Sequence, residues 1–166
     1  MRFVLIALAA GLSLLTACQR GPDPKVLAAN VEAEKTFLAK NAAEPGVKTL
    51  PSGLQYAVVR SGPAEGLRPL PGDRIKVHYE GKLLSGEVFD SSYDRGVPAV
   101  MPLDGLIPGW VEALQLMRPG DEWRIFVPAD LGYGDQGGGP IPPGATLVFR
   151  IELIDVLPGP RHKSGG

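Results

Sequence analysis

The chain has 166 residues, a length that suits one globular domain with a short appendage. Its 44% hydrophobic and 21% charged content is that of an ordinary folded protein, and its 22 glycines and 17 prolines point to many turns between short strands. The formal net charge is −1 with no basic block, which removes nucleic acid from the candidate partners.

At the N-terminus, "MRFVLIALAAGLSLLTACQR" places Arg2 ahead of an apolar run from Phe3 to Leu15. That run is too short to span a bilayer with normal flanks and reads as a secretory signal. Its end, "LLTAC", resembles the lipobox of bacterial lipoproteins, which implies cleavage before Cys18 and lipid on that residue. The alternative is plain cleavage near Ala17 with a free thiol. Cys18 is the only cysteine, so no disulfide is available and the fold must rest on its core. Residues 1–17 are therefore expected to be a lipoprotein signal peptide. The mature protein is expected in the bacterial cell envelope, held at the membrane through lipid on Cys18 and facing the periplasm. Gln19 stands where an aspartate often retains lipoproteins in the inner membrane, which points to the outer membrane.

Residues 18–48 read as a linker and spacer helix. Asp23 can cap a helix that has Pro24 at its first position. Leu27, Val31 and Leu38 form an apolar stripe with Phe37 beside it, and Pro45-Gly46 ends the pattern. Glu34 interrupts the stripe, and most of the circumference is polar. The breaks in "QRGPD" and "AAEPGVK" predict that helix and domain pivot independently. The small apolar area predicts a monomer.

From residue 49 the period changes to two. Leu54, Tyr56 and Val58 share a face, as do Ile75, Val77 and Tyr79, then Trp123, Ile125 and Val127, then Leu147, Phe149, Ile151 and Leu153. Charged residues alternate with them, the mark of antiparallel strands with one wet face. One central helix fits the chain, "LIPGWVEALQLM", with Ile107, Trp110, Val111, Leu114 and Met117 at helical spacing and Pro119-Gly120 as its stop. The expected class is α+β: a curved antiparallel sheet wrapped over one central helix, preceded by the short N-terminal helix. The domain spans 49–158, and 159–166 reads as a flexible tail.

Several chemistries find no footing. His78 lies on a polar strand face and His162 in the tail, so neither is placed as a general base. No cluster of His, Cys or carboxylates suits a metal. "YGDQGGGPIPPG" has glycines, but a strand follows it rather than the helix a phosphate loop needs. What remains is aromatic: Tyr79, Phe89, Trp110, Tyr133 and Phe149. Each alone reads as core packing. Asp90, in "GEVFDSS", reads on its own as a turn residue with Ser91 and Ser92 capping locally.

Residues 52–157 resemble the FKBP-type peptidyl-prolyl cis-trans isomerases. The resemblance rests on "VHYEGKLLSGEVFDSSYDRG", "LIPGWVEALQLMRPGDEWRIFVP", "LGYG" and "IPPGATLVFRIELIDV". The approach, "FLAKNAAEPGVKTLPSGLQY", is similar to the macrophage-infectivity-potentiator branch. The resemblance implies rotation about X–Pro bonds of envelope proteins, with no covalent chemistry, cofactor or metal. It implies Trp110 as the floor of a proline pocket, with Tyr79, Phe89 and Phe149 as walls and Leu106 and Ile107 at the rim. The Ile107 N–H and the Tyr133 hydroxyl would bond substrate carbonyls. Asp90 would line the pocket, fixed by Arg95 or the Tyr79 hydroxyl, and Ile141 would lie near the rim. A macrolide is an implied ligand. Ala99 stands where the family often has an aromatic, so one wall is expected open, and the Gly-rich loop is shorter than in eukaryotic single-domain members. The rival readings are a holdase chaperone and an assembly-factor lipoprotein on the same fold with little isomerase activity.

Overall fold

The computed structural model describes residues 21–160. The signal segment, Cys18 and residues 161–166 lie outside the described residues. Helix α1 (Pro24–Asn41) starts as its sequence dictates: the Asp23 carboxylate accepts the Lys25 N–H at 2.9 Å, and Pro24 occupies the first turn. Seven strands follow: β1 (Val47–Thr49), β2 (Gln55–Arg60), β3 (Arg74–Leu83), β4 (Val88–Ser91), β5 (Ala99–Pro102), β6 (Glu122–Val127) and β7 (Leu147–Leu157). They form one antiparallel sheet in the order β1-β2-β6-β7-β3-β4, with β5 also paired to β3. The central helix, α2 (Pro108–Leu116), lies between β5 and β6 in the chain.

The core follows the period-two reading. Ile75 and Val77 of β3, Ile125 and Val127 of β6, and Leu147, Ile151 and Leu153 of β7 are all fully buried, against Ala113 and Leu114 of α2. Each such aliphatic side chain stabilises the fold by about 1.5–3 kcal/mol relative to exposure. Gly109 lets α2 come close to β6, since a Cβ there would stand 2.7 Å from Val127 Cγ1. Val58 departs from the pattern. It is 43% exposed because β2 bulges between Val58 and Arg60 and leaves the core.

Three expectations need correction. The linker does not extend to residue 48, because Val47 and Lys48 already pair with Ala57 and Tyr56 in β1. The tail does not begin free at 159, because the Gly159 N–H donates to Asp73 Oδ1 at 2.8 Å. The third concerns α1, which does not pivot. Its Phe37 ring tilts against Phe126 of β6 at 5.8 Å, and Gln55 of β2 donates to the Leu38 carbonyl at 2.9 Å while accepting from Asn41 at 2.8 Å. The docked face is Leu27, Asn30, Glu34, Phe37, Leu38 and Asn41, whereas Val31, expected in the apolar stripe, is 52% exposed. Half of that face is polar, and it docks because its polar atoms find partners on the sheet and loops.

Candidate active site

On the core side of the sheet, Trp110 sits in the first turn of α2 and is 4% exposed. Tyr79 of β3 and Phe149 of β7 meet it edge-on, at 5.1 Å and 85° and at 5.2 Å and 86°. Phe89 of β4 meets Phe149 edge-on at 5.6 Å. Such pairings align ring edge with ring face and fix the rings beyond simple burial. Gly81 makes room for them. A Cβ at that position would stand 2.6 Å from Phe89 Cζ and 2.7 Å from Phe149 Cε1.

These rings enclose a cavity of about 180 Å³, completed by Asp90, Met101, Gly105, Leu106, Ile107 and Tyr133. That volume is below the ~300–1,000 Å³ of sites that enclose a whole drug-sized ligand, and suits one ring-sized group. Ile107 is the residue before α2, so its N–H precedes the first helical turn and donates to no backbone acceptor among the described residues. Tyr133, 44% exposed, stands at the mouth. The Trp110 Nε1–H is buried without an acceptor among the described residues.

Asp90 is held from two sides. The Tyr79 hydroxyl donates to Oδ2 at 2.5 Å, and Arg95 Nη1 donates to Oδ1 at 2.5 Å. Arg95 Nη2 also donates to the Tyr79 hydroxyl oxygen at 2.9 Å, and its guanidinium lies over the Tyr79 ring at 5.5 Å. Partial burial pushes the Asp90 carboxyl up, but the Tyr79 hydroxyl and the Arg95 guanidinium outweigh it and hold the group below its usual 3.8. Burial, and then the Asp90 carboxylate, push the Tyr79 hydroxyl above its usual 10.0. Near neutral pH the pair is therefore an ionised carboxylate and a protonated phenol. Ser91 caps locally, accepting the Asp94 N–H at 3.2 Å. Ser92 does not; it is fully buried and its hydroxyl oxygen accepts the Tyr79 N–H at 2.8 Å, which pins the turn to β3.

Of the residues singled out in the sequence, the structure brings Tyr79, Phe89, Asp90, Leu106, Ile107, Trp110, Tyr133 and Phe149 around one cavity. Arg95 lies outside the lining but anchors Asp90. Ile141 is not a rim residue. It is 5% exposed, belongs to the core, and closes its loop through a pair of 2.9 Å bonds with Gly138. The wall expected to be open at Ala99 is closed by Met101, two residues on in β5. A larger cleft of about 600 Å³ lies on the other face, edged by Lys40, Lys82 and Arg124, and shares no residue with the aromatic cavity.

Comparison with known proteins matches residues 66–154 to the family of FKBP-type peptidyl-prolyl cis-trans isomerases. Residues 15–58 match the domain found amino-terminal to such isomerases. The chain is 50% identical over 122 residues to the FKBP-type 22 kDa peptidyl-prolyl cis-trans isomerase of Escherichia coli, covering 73% of this chain and 58% of that protein. It is 50% identical over 121 residues to the outer membrane protein MIP of Legionella longbeachae, covering 72% of this chain and 51% of that protein. The crystal structure of FkpA from Escherichia coli superposes with a TM-score of 0.78 at 44% identity, covering 82% of this chain and 63% of that one. The chain thus spans little more than half the length of the curated relatives it matches.

Proposed function

The chain belongs to the FKBP-type peptidyl-prolyl cis-trans isomerases, and on that premise we propose that it catalyses rotation about X–Pro bonds with the proline seated in the aromatic cavity. The observation that carries this reading is the cavity itself: one ring-sized apolar space with a fixed carboxylate at its wall and two hydrogen-bond donors, the Ile107 N–H and the Tyr133 hydroxyl, at its edge.

Amide resonance sets a barrier of ~18–20 kcal/mol to the rotation. Resonance separates charge, so water favours the planar amide. Transfer of the bond to the wall formed by Tyr79, Phe89, Trp110 and Phe149 removes that solvation and favours the twisted state, in which resonance is broken. A millionfold acceleration requires about 8 kcal/mol of preference for the twisted state. Desolvation supplies part of it. The Ile107 N–H and the Tyr133 hydroxyl orient the carbonyls on either side of the bond, and the Asp90 carboxylate acts on the carbonyl as it turns. The reaction breaks no bond, so the reading needs neither nucleophile nor cofactor. A macrolide presenting a comparable ring would compete for the same cavity.

The site of action is the bacterial envelope, on proline-containing proteins that fold there. The "LLTAC" signal and the outer-membrane designation of the Legionella longbeachae relative support anchoring through lipid on Cys18, with the outer membrane favoured. Leu27, Phe37 and Leu38 turn toward the chain's own domain, which supports a monomer.

The test is an isomerisation assay on the mature chain with a peptide carrying an apolar residue before proline. Uncatalysed exchange takes tens to hundreds of seconds, so acceleration is measured directly. A folded sample with no rate above buffer would end the enzymatic reading.

A further inference from the structure

We infer that helix α1 is a clamp that positions Tyr133 for the reaction, and that Glu34 is the positioning residue through which it acts; the inference rests on the isomerase reading of the aromatic cavity. Residues 128–146 join β6 to β7 and carry Tyr133 at the cavity mouth. The tip of this segment is closed by its own backbone. The Gly144 N–H donates to the Gly134 carbonyl at 3.0 Å, and Gly138 and Ile141 exchange bonds at 2.9 Å.

The two feet of the segment are held instead by α1. A single carboxylate oxygen, Glu34 Oε2, accepts the Ala129 N–H at 2.6 Å and the Thr146 hydroxyl at 2.8 Å. Ala129 is 6% exposed and Thr146 3%, so water has little access to compete for these donors. One turn earlier, Asn30 Nδ2 donates to the Pro143 carbonyl at 2.7 Å. One turn earlier again, Leu27 packs on Gly144, where a Cβ would stand 2.7 Å from Leu27 Cδ1. One face of α1 therefore follows the returning limb of the segment and ties it to the outgoing limb.

The outgoing limb transmits this hold to Tyr133. Ala129 opens a single 3₁₀ turn, Ala129–Leu131, in which the Leu131 N–H donates to Pro128 and the Gly132 N–H donates to Ala129. Tyr133 follows directly. A shift of the Ala129 N–H thus moves a rigid turn whose next side chain is the one at the mouth. A tether from the membrane would need none of these contacts.

The mature full-length chain tests the clamp. Glu34→Ala is expected to lower kcat/KM for the proline peptide about tenfold, the order of one lost hydrogen-bonded charge. Glu34→Gln, which keeps a carbonyl acceptor, is expected to recover most of the loss. In a Tyr133→Phe background, Glu34→Ala is expected to change little more, because the group it positions is already gone. Asn41→Ala, at the far end of the same helix, lowers stability without slowing turnover. Amide hydrogen exchange across 129–146 should quicken in Glu34→Ala and not in Asn41→Ala. Unchanged kcat/KM in Glu34→Ala, or an equal loss with and without the Tyr133 hydroxyl, overturns the inference. If the parent shows no isomerase activity, the functional reading falls on its own, and amide exchange that Glu34→Ala leaves unchanged still overturns the clamp.

Discussion

Asp90 and Glu34 are both half-buried carboxylates that accept two hydrogen bonds, and they stand on opposite faces of one sheet. Their partners differ in kind. Asp90 has a phenol and a guanidinium, the first buried and the second about half exposed, which also bond each other. Glu34 has a backbone N–H and a buried hydroxyl, and no ion pair among the described residues. Asp90 lines the aromatic cavity, so the carboxylate that Tyr79 and Arg95 hold in place meets whatever enters it. Glu34 lines no part of that cavity, and its two donors belong to the two ends of one connecting segment, so it acts as an anchor.

The contrast between a working face and a holding face can be broken most forcefully at Trp110. Trp110→Leu removes pocket floor and core contact together. The expected outcome is a stability loss of about 2–4 kcal/mol, by analogy with large-to-small core changes, and a fall in turnover of more than tenfold. Denaturant midpoints and the peptide assay measured on one sample check both. If turnover survives while stability falls, the indole is core only.

Asp90→Ala sharpens the contrast from the other side. Its side chain is 41% exposed, so its ion pair contributes on the order of 1 kcal/mol or less to folding. Turnover is nevertheless expected to drop about tenfold, roughly 1.4 kcal/mol of transition-state preference. Equal rates in mutant and parent would return Asp90 to the role of a turn residue.

The smallest effect is in pH. The folded state holds the Asp90 pKa below the 3.8 of the free group. The stability it contributes is therefore complete above about 3.8 and drains as pH falls through the lower folded value. The difference in unfolding free energy between parent and Asp90→Asn should be constant from about pH 7 to 5 and should narrow below about pH 4. A gap that stays constant through the acid range would mean that the carboxylate's partners do not favour its charged form.

The working face was far more legible in the sequence than the holding face. Period-two alternation placed Tyr79 and Phe149 on core-facing strands, helical spacing placed Trp110, and the family motifs joined them. Met101 escaped notice because β5 has only four residues, closed by Pro102 and preceded by Pro98, too short for alternation to register. Its Ala99/Met101 spacing was the available signal. Gly81 gave none, since nothing in a lone glycine tells which rings will close over it. On the outer face, Asn30, Glu34 and Asn41 look like solvent residues to any search for apolar stripes. Their meaning lies in partners far away in the chain, such as Thr146, 112 residues from Glu34. Local periodicity carries no information about such pairings.

Strand β7 lies between β6 and β3 and pairs with both, joining residues 74–83 to 147–157. The central seam of the sheet is thus closed by the last strand in the chain order of the described residues. A polypeptide delivered N-terminus first holds β1-β2-β6 and β3-β4-β5 as two unsealed halves until that strand arrives. Contacts of such long sequence separation place folding toward the slow, millisecond-to-second end of the scale. The two halves share no strand pairing of their own, so the sheet closes only once β7 has emerged. A cut that removes β7 leaves two exposed sheet edges with nothing between them, the arrangement most prone to wrong pairing.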